Sequence, residues 1–587
     1  MQDVQDGLSE PEVEKGARHP KSDGARAIVE SERAVRAIYL IVGAVTIGLV
    51  FWRLQFSNQS VCCGDFDGYY HIRWSRLLWE NIRQGHLFPP TFNWLPLTTL
   101  DPKGYVDHHL LFHILQIPFT WFGDLRLGAK VAATIFSSLA VFSCYWLIVR
   151  YRISYALVWL VAMLGCSAPF LYRLNMAKAP PISIIFMVAG IYLLFEKKYR
   201  WLAPLAFLYV WTYSLFVTLC AAAVIWTVVM AWSERRFEWR PLLWTGVGTV
   251  AGFIVNPYFP KNVVLFVEHV LIKARFGDFS TSVGSEWYPY ESWFFLGSCL
   301  VAFAAMLTGY IAFDWSDRRR SLRPLFFLIF STLLMIASFR SRRFVEYWPP
   351  FAVLFAAFTL QAIFDGVRAG IGRLPEHVLD DLQPFLDRDE TAEARERRRY
   401  REYWKTGAAV FVALLLGVVL TVNVYETAKS LGEESGPDRY LGGMEWVRNH
   451  VPAGEMVFNT DWDDFPKMFF YDTTHVYASG LDPTYLLDKN PELSKLYEDI
   501  TLGKIKDAAP IIRDRFGAHY VFSDNEDVHN DFYFNAKESG WFEIVYEDEE
   551  CTVLHIRDQK GAALPDEEES SDDETDDGGG DQQGNVP

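Results

Sequence analysis

From residue 37 onward, long apolar runs alternate with polar loops along this chain. A run of about 20 apolar residues crosses a ~30 Å hydrocarbon core as a helix. Such runs lie near 37–56, 127–149, 154–172, 180–195, 201–213, 214–232, 242–256, 291–313, 323–338, 344–364 and 406–425. No polar turn divides 201–232, so its split into two is set by length alone. The pattern predicts a polytopic α-helical membrane protein of about 11–13 spans. Leu110–Phe122 is apolar but short and amphipathic, with His113 and Gln116 inside it, and is expected to lie at the interface or re-enter. After the last span the periods change. Gly443–Asn449 reads as a helix, and Met456–Phe458, His519–Ser523 and Thr552–Ile556 as strands. A small C-terminal α/β domain follows from that mixture.

Basic residues set the orientation. Arg150-Tyr151-Arg152, Glu196 to Arg200, Glu234-Arg235-Arg236 and Arg318-Arg319-Arg320 fall on one side if the spans alternate. The tail 1–35 and the charged loop 365–405 fall there too. Lys and Arg collect in cytoplasmic loops, so that side is expected to be cytoplasmic. Some 35 polar residues precede the first run, which argues for a signal anchor and against a cleaved leader. The expected organisation is a cytoplasmic tail 1–35, a transmembrane domain 36–425 with a first external loop 57–126, an extracytoplasmic α/β domain 426–560, and an acidic tail 561–587. That tail has nothing apolar to bury and is expected to be disordered. The expected location is the plasma or inner membrane, with the chemistry outside.

Composition adds little that the pattern does not. Aromatics reach 16%, with 21 Trp and 45 Phe, which suits a lipid-facing surface with interfacial anchors. The net charge of −17 is weighted toward the tail, and no basic stripe points to nucleic acid. Seven Cys show no zinc spacing, and most read as buried small apolar groups.

Candidate chemistry gathers in the external loops. Gly64-Asp65-Phe66-Asp67-Gly68-Tyr69-Tyr70-His71 follows the first span directly. A carboxylate there could hold a divalent cation or orient a nucleophile. Gly68 would give the backbone room to turn beside it. Asp107-His108-His109 with His113 sets two imidazoles at i, i+4, a spacing open to metal or to plain packing. Arg340, Arg342 and Arg343 cluster on the outer side, against the positive-inside tendency, and call for a compensating anion such as phosphate. Asn58-Gln59-Ser60 is a glycosylation triplet of the kind that arises often by chance.

In this order, the motifs resemble those of the catalytic subunit of oligosaccharyltransferase, a GT-C membrane glycosyltransferase. Asp67 resembles that family's first-loop catalytic Asp, and Arg173 its second-loop arginine. Val283-Gly284-Ser285-Glu286 resembles its fifth-loop motif, and Arg342-Arg343-Phe344 the arginine facing the lipid diphosphate. Asp461-Trp462-Asp463-Asp464-Phe465 resembles the W-W-D-Y-G motif, with Gly480-Leu481-Asp482-Pro483-Thr484 after it. The resemblance runs from about 36 to 556. It implies Asp67 and Glu286 as catalytic groups and candidate ligands of Mg2+ or Mn2+. It implies Arg173, Arg342 and Arg343 as donor-phosphate ligands, where Lys178 could also neutralise phosphate as a point charge, and Trp462 and Asp463 as acceptor-binding residues.

Two departures weaken the match. The stretch Asn175 to Pro181 has no carboxylate where the family carries D-x-D or D-x-E, and Lys178 stands there instead. The W-W-D motif begins with Asp461. The implied activity is transfer of a sugar or oligosaccharide from a polyprenyl-(di)phosphate donor to a protein acceptor. Alternatives are a GT-C enzyme adding a single sugar to a glycolipid or polysaccharide, or a non-catalytic membrane scaffold. A transporter would call for mid-span charges or inverted repeats, whereas charges here sit at span ends.

Overall fold

The computed structural model describes residues 21–61, 66–268, 283–315, 321–371, 392–433 and 436–562. Asp65, the vicinal Cys62-Cys63, the core of the charged loop 365–405 and the acidic tail therefore lie outside the described residues. The chain divides into two compact units.

The first unit is a helical bundle that follows the apolar runs. Four helices among the described residues are long and apolar enough to cross a membrane: Arg33–Gln55, Leu125–Arg150, Ser214–Glu234 and Gly407–Gly432. The shorter apolar helices Pro180–Phe195, Arg240–Val255, Leu322–Ser338 and Trp348–Gln361 match four further runs, Leu202–Val210 lies in 201–213, Ser292–Ser298 and Leu300–Ile311 meet at 76° in 291–313, and Leu110–Trp121 matches the amphipathic segment. Leu125–Arg150 is the most enclosed of the long helices, burying Ala129, Ala133, Ala140, Cys144 and Ile148. The outer helices do the opposite. Ile38, Ile41, Val45, Leu49 and Trp52 are exposed along one face, and Val410, Phe411, Leu414, Leu415, Val418 and Val422 stand out from the last helix. Apolar surface on that scale is stable only against lipid. The protein is an integral membrane protein.

The run at 154–172 does not form one straight span. Ala156–Leu164 and Ala168–Asn175 meet at 75°. Gly165-Cys166-Ser167 breaks the helix. The Ser167 hydroxyl then caps the second half by accepting from the Phe170 N–H at 3.2 Å. The Gly165 carbonyl accepts from Asn423 Nδ2 at 3.0 Å, so this acceptor at the break is not left stranded in the membrane. Gly165 allows a close crossing, since a Cβ there would lie 3.3 and 3.4 Å from the Leu420 backbone N and Cα.

Helix ends define two poles of the bundle. Arg150 pairs with Glu196 at 3.7 Å and Lys197 with Glu234 at 3.1 Å, so three of the basic turns meet. Glu196 and Lys197 follow the C-terminal end of Pro180–Phe195. Lys178 precedes its N-terminal end, roughly 24 Å away along a 16-residue helix.

The second unit is α/β, and it starts at Asp438 where the sequence suggested 426. It also takes in residues 91–105 of the first loop. The sheet order is β2-β1-β3-β5-β4, from Val476–Tyr477, Met456–Asn459, Ala518–Asp524, Cys551–Ile556 and Phe542–Glu547. β1 pairs in parallel with β2 and β3, while β5 runs antiparallel to β3 and β4. Phe458, Ile500, Ile512, Val521 and Leu554 lie in its core. Gly517, at φ +72°, ends the turn before β3 in a left-handed conformation that costs glycine little. Residues 91–105 join through Phe92, stacked on Tyr105 at 4.3 Å, and through Trp94 Nε1, which donates to the Thr473 carbonyl at 2.8 Å.

Gly165→Leu is expected to destabilise the bundle by about 1–3 kcal/mol through overpacking. Gly417→Ala, with nothing within 4 Å of its added Cβ, should be neutral. Thermal unfolding of both variants in detergent measures the difference.

Candidate active site

At the pole opposite the basic turns, five elements bring charged side chains together. Asp67 opens the helix Asp67–Arg83, and its Oδ2 lies 2.9 Å from Lys178 Nζ. Gly68 is helical, so its value is not the turn expected from the sequence. A Cβ on it would sit 2.9 Å from both Ala177 Cβ and Val61 Cγ1. The missing side chain lets the start of this helix press against the strand of chain that carries Lys178.

Glu286 forms the second focus. Its carboxylate accepts from Arg173 at 3.0 Å and lies 3.1 Å from Arg343. Arg173 itself is buried and bridges on to Glu346 at 2.6 Å. Ser341 Oγ donates to the Glu286 carbonyl at 2.8 Å, and the Arg342 N–H donates to the Tyr288 carbonyl at 3.0 Å. The Glu286 loop is thereby fastened to the arginine turn. Arg343 lies over the Trp287 ring at 4.5 Å and Arg342 over Tyr290 at 4.9 Å. Burial alone would raise the Glu286 carboxyl. The charges of Arg343, Lys178 and Arg173 outweigh it and hold the group far below the usual carboxylate range. Lys178 thus acts on both Asp67 and Glu286. Burial would lower Arg343, and Glu286 overrides that, so the guanidinium stays charged.

Behind Asp67 runs a buried polar chain. Trp74 Nε1 donates to Asp107 at 2.9 Å, His113 Nδ1 lies 2.8 Å from the same carboxylate, and His113 Nε2 lies 2.7 Å from His71 Nδ1. With Asp107 ionised, His113 carries its hydrogen on Nδ1 and accepts at Nε2 from His71. This chain fixes the helix that starts at Asp67. The i, i+4 histidines therefore serve different ends: His113 joins the chain, while His109 stacks on Tyr213 at 5.4 Å. Asn58 donates its Nδ2 to the Leu431 carbonyl at 2.8 Å, which ties the glycosylation triplet into the bundle.

The structure brings together Asp67, Lys178, Glu286, Arg173, Arg342 and Arg343. Arg173 is enclosed by two carboxylates, whereas Arg342 and Arg343 keep part of their surface exposed. Glu346 was not singled out from sequence, since it sits inside an apolar run. Trp462 and Asp463 belong to the α/β unit, where the Asp463 N–H donates to Asp461 Oδ1 at 2.8 Å. Mg2+ or Mn2+ needs several oxygens converging on one point. Asp67 already faces Lys178, Glu286 already faces two guanidiniums, and Asn175 to Pro181 adds no carboxylate. These residues do not fit such an ion.

No protein-family model matches the chain, and no curated protein matches its sequence. Solved structures do resemble it. The crystal structure of the Archaeoglobus fulgidus oligosaccharyltransferase in the apo form matches with a TM-score of 0.56 at 13% identity, covering 89% of this chain and 75% of that one. ArnT from Cupriavidus metallidurans bound to undecaprenyl phosphate gives a TM-score of 0.48 at 16% identity, covering 89% and 99%. At these identities the first likeness is one of fold.

Burial, opposed by Asp107 and reinforced by His113 and Arg343, brings the half-buried His108 imidazole down to about 4. The unfolded chain takes up this proton near pH 6.5. The neutral form therefore contributes stability that is complete above about pH 6.5 and is lost as pH falls toward 4. Melting temperatures in detergent should drop across that window, and His108→Gln should flatten part of the drop.

Proposed function

We propose that the protein is a membrane glycosyltransferase that moves a sugar or oligosaccharide from a polyprenyl-(di)phosphate donor to an acceptor, most naturally a protein. The observation that carries this reading is the charged cluster at one pole: a carboxylate paired with Lys178, beside the partly exposed Arg342 and the partly exposed Arg343 that Glu286 holds. Its location outside the cytoplasm rests on the basic turns gathered at the opposite pole.

In this mechanism the acceptor's nucleophilic atom attacks the anomeric carbon. A bond forms to that carbon as its bond to the phosphate oxygen breaks, and the (di)phosphate departs with the electron pair. Asp67, paired with Lys178, orients the nucleophile and takes its proton. Arg342, Arg343 and Lys178 neutralise the departing phosphate. Arg173 acts as a positioning residue, since its guanidinium is enclosed by Glu286 and Glu346. Trp462 and Asp463 would engage the acceptor. A second reading, transfer of a single sugar to a glycolipid or polysaccharide, is favoured by Lys178 in the place of the carboxylates that the resemblance leads one to expect.

The test uses the full-length protein in nanodiscs with polyprenyl-linked sugars and labelled peptide or glycolipid acceptors. Asp67→Asn is expected to cost about 10²–10⁴-fold in transfer rate at unchanged melting temperature. Full transfer by that variant would sink the assignment, and the acceptor that becomes labelled decides between the two readings.

The two outer arginines should behave differently. Arg342→Ala is expected to weaken donor binding while leaving the melting temperature in place, because its side chain joins no ion pair among the described residues. Arg343→Ala should lower both, since it leaves Glu286 with one fewer cation. Donor titration beside thermal unfolding separates these outcomes.

A further inference from the structure

The α/β domain carries a second concentration of charge that the transfer chemistry does not use. β1 connects to β2 on one side of itself, and the chain then crosses to β3 on the other side. The β1/β3 boundary is therefore a switch point, and ligands of open α/β sheets bind outside the carboxyl ends of strands at such a point. Asp461 follows the end of β1, Asp524 ends β3, and His529 lies in the next turn.

One donor atom from each of Asp461, Asp524 and His529 lies within 4.8 Å of the others. Ligands around one zinc-sized ion stand roughly 3.4 Å apart, so a small closure would complete the set. A further carboxylate faces the same place. Asp464 feels the charges of both Asp524 and Asp461, is 4% exposed, and has an Oδ2 with no hydrogen-bond partner. Arg439, whose charge acts on Asp464, also donates to Glu526 and to the Tyr440 hydroxyl, each at 2.6 Å. An ordinary Asp–His pair would account for His529 Nδ1, which lies 2.8 and 2.9 Å from the two Asp524 oxygens. It would leave the buried Asp464 Oδ2 without a hydrogen-bond partner, which is costly.

We propose that Asp461, Asp464, Asp524 and His529 bind one divalent transition-metal ion, of the Zn2+ or Mn2+ class, within the α/β domain. Imidazole among carboxylates selects that class over Ca2+ or Mg2+. The ion would clasp the loop carrying Trp462 and Asp463 to the end of β3, because two of its ligands flank those residues in sequence. The proposal stands on the domain's own geometry and does not depend on the reaction at Asp67.

The full-length protein in detergent, stripped with EDTA and dialysed, would be titrated with ZnCl2 and MnCl2 by calorimetry, with metal content and melting temperature read in parallel. One equivalent is expected to bind with micromolar or tighter affinity and to raise the melting temperature. Asp524→Asn and His529→Gln should each weaken binding at least about tenfold, a loss of ~1.4 kcal/mol, and abolish the metal-dependent rise. Asp461→Asn, at the half-buried position, guards against misfolding: its metal-free melting should match that of the stripped wild type while its affinity falls. Asp67→Asn should bind metal as the wild type does. The proposal is overturned by a folded wild type that binds neither ion, by tighter binding of CaCl2, or by unchanged binding in both Asp524→Asn and His529→Gln. Loss of the equivalent in Asp67→Asn would overturn it as well.

Discussion

A guanidinium cannot be buried beside a lipid bilayer unless its charge is met, and Arg173 meets that requirement twice over, on Glu346 and on Glu286. The three residues come from the second half of a broken helix, the turn before Trp348–Ile371, and a loop more than 100 positions downstream of the arginine. Removing one partner of such a pair leaves an uncompensated buried charge, at a cost of about 3–5 kcal/mol. Electrostatics thus fixes the relative position of segments that apolar packing alone would let slide. Glu286, pinned in this way, becomes the fixed point against which Arg343 and Lys178 are arranged. The partly exposed cations keep their direction because a deeper one is immobile.

The membrane bundle was legible in the sequence because spanning a bilayer leaves a one-dimensional signature, and the apolar runs map onto apolar helices. The bend at Gly165-Cys166-Ser167 was not, since both halves of 154–172 are apolar and a break satisfied by Asn423 leaves no polar mark nearby. Three strands of the α/β domain fell where periodicity placed them. β2, only two residues long, and β4 did not announce themselves, because short or half-exposed strands carry little alternation.

The charged cluster was found through the order of motifs rather than through any one of them. Sequence separation hides proximity, and the gap from Lys178 to Glu286 or from Arg173 to Glu346 has no local trace. Gly68 was rightly marked for a missing side chain, but the reason is a close approach to Ala177 and Val61. Asp461 looked like a defect in a tryptophan motif. Its neighbours Asp524 and His529 lie some 60 residues on, and only the parallel pairing of β1 with β3 makes the three one group.

Residues 91–105 have a consequence for how the molecule comes into being. They belong to the α/β unit, yet more than 300 residues of membrane-embedded chain are made before the rest of that unit begins at Asp438. At about 5–20 residues per second, synthesis leaves this segment waiting for tens of seconds. During that interval Phe92, Trp94 and Leu95 have no core to enter, and Phe92 and Leu95 are fully enclosed in the finished domain. The bundle must therefore be threaded into the bilayer while a sticky loop is held open on one face. The domain can close only after the final span has been inserted, which makes completion of the α/β unit a checkpoint on correct membrane topology.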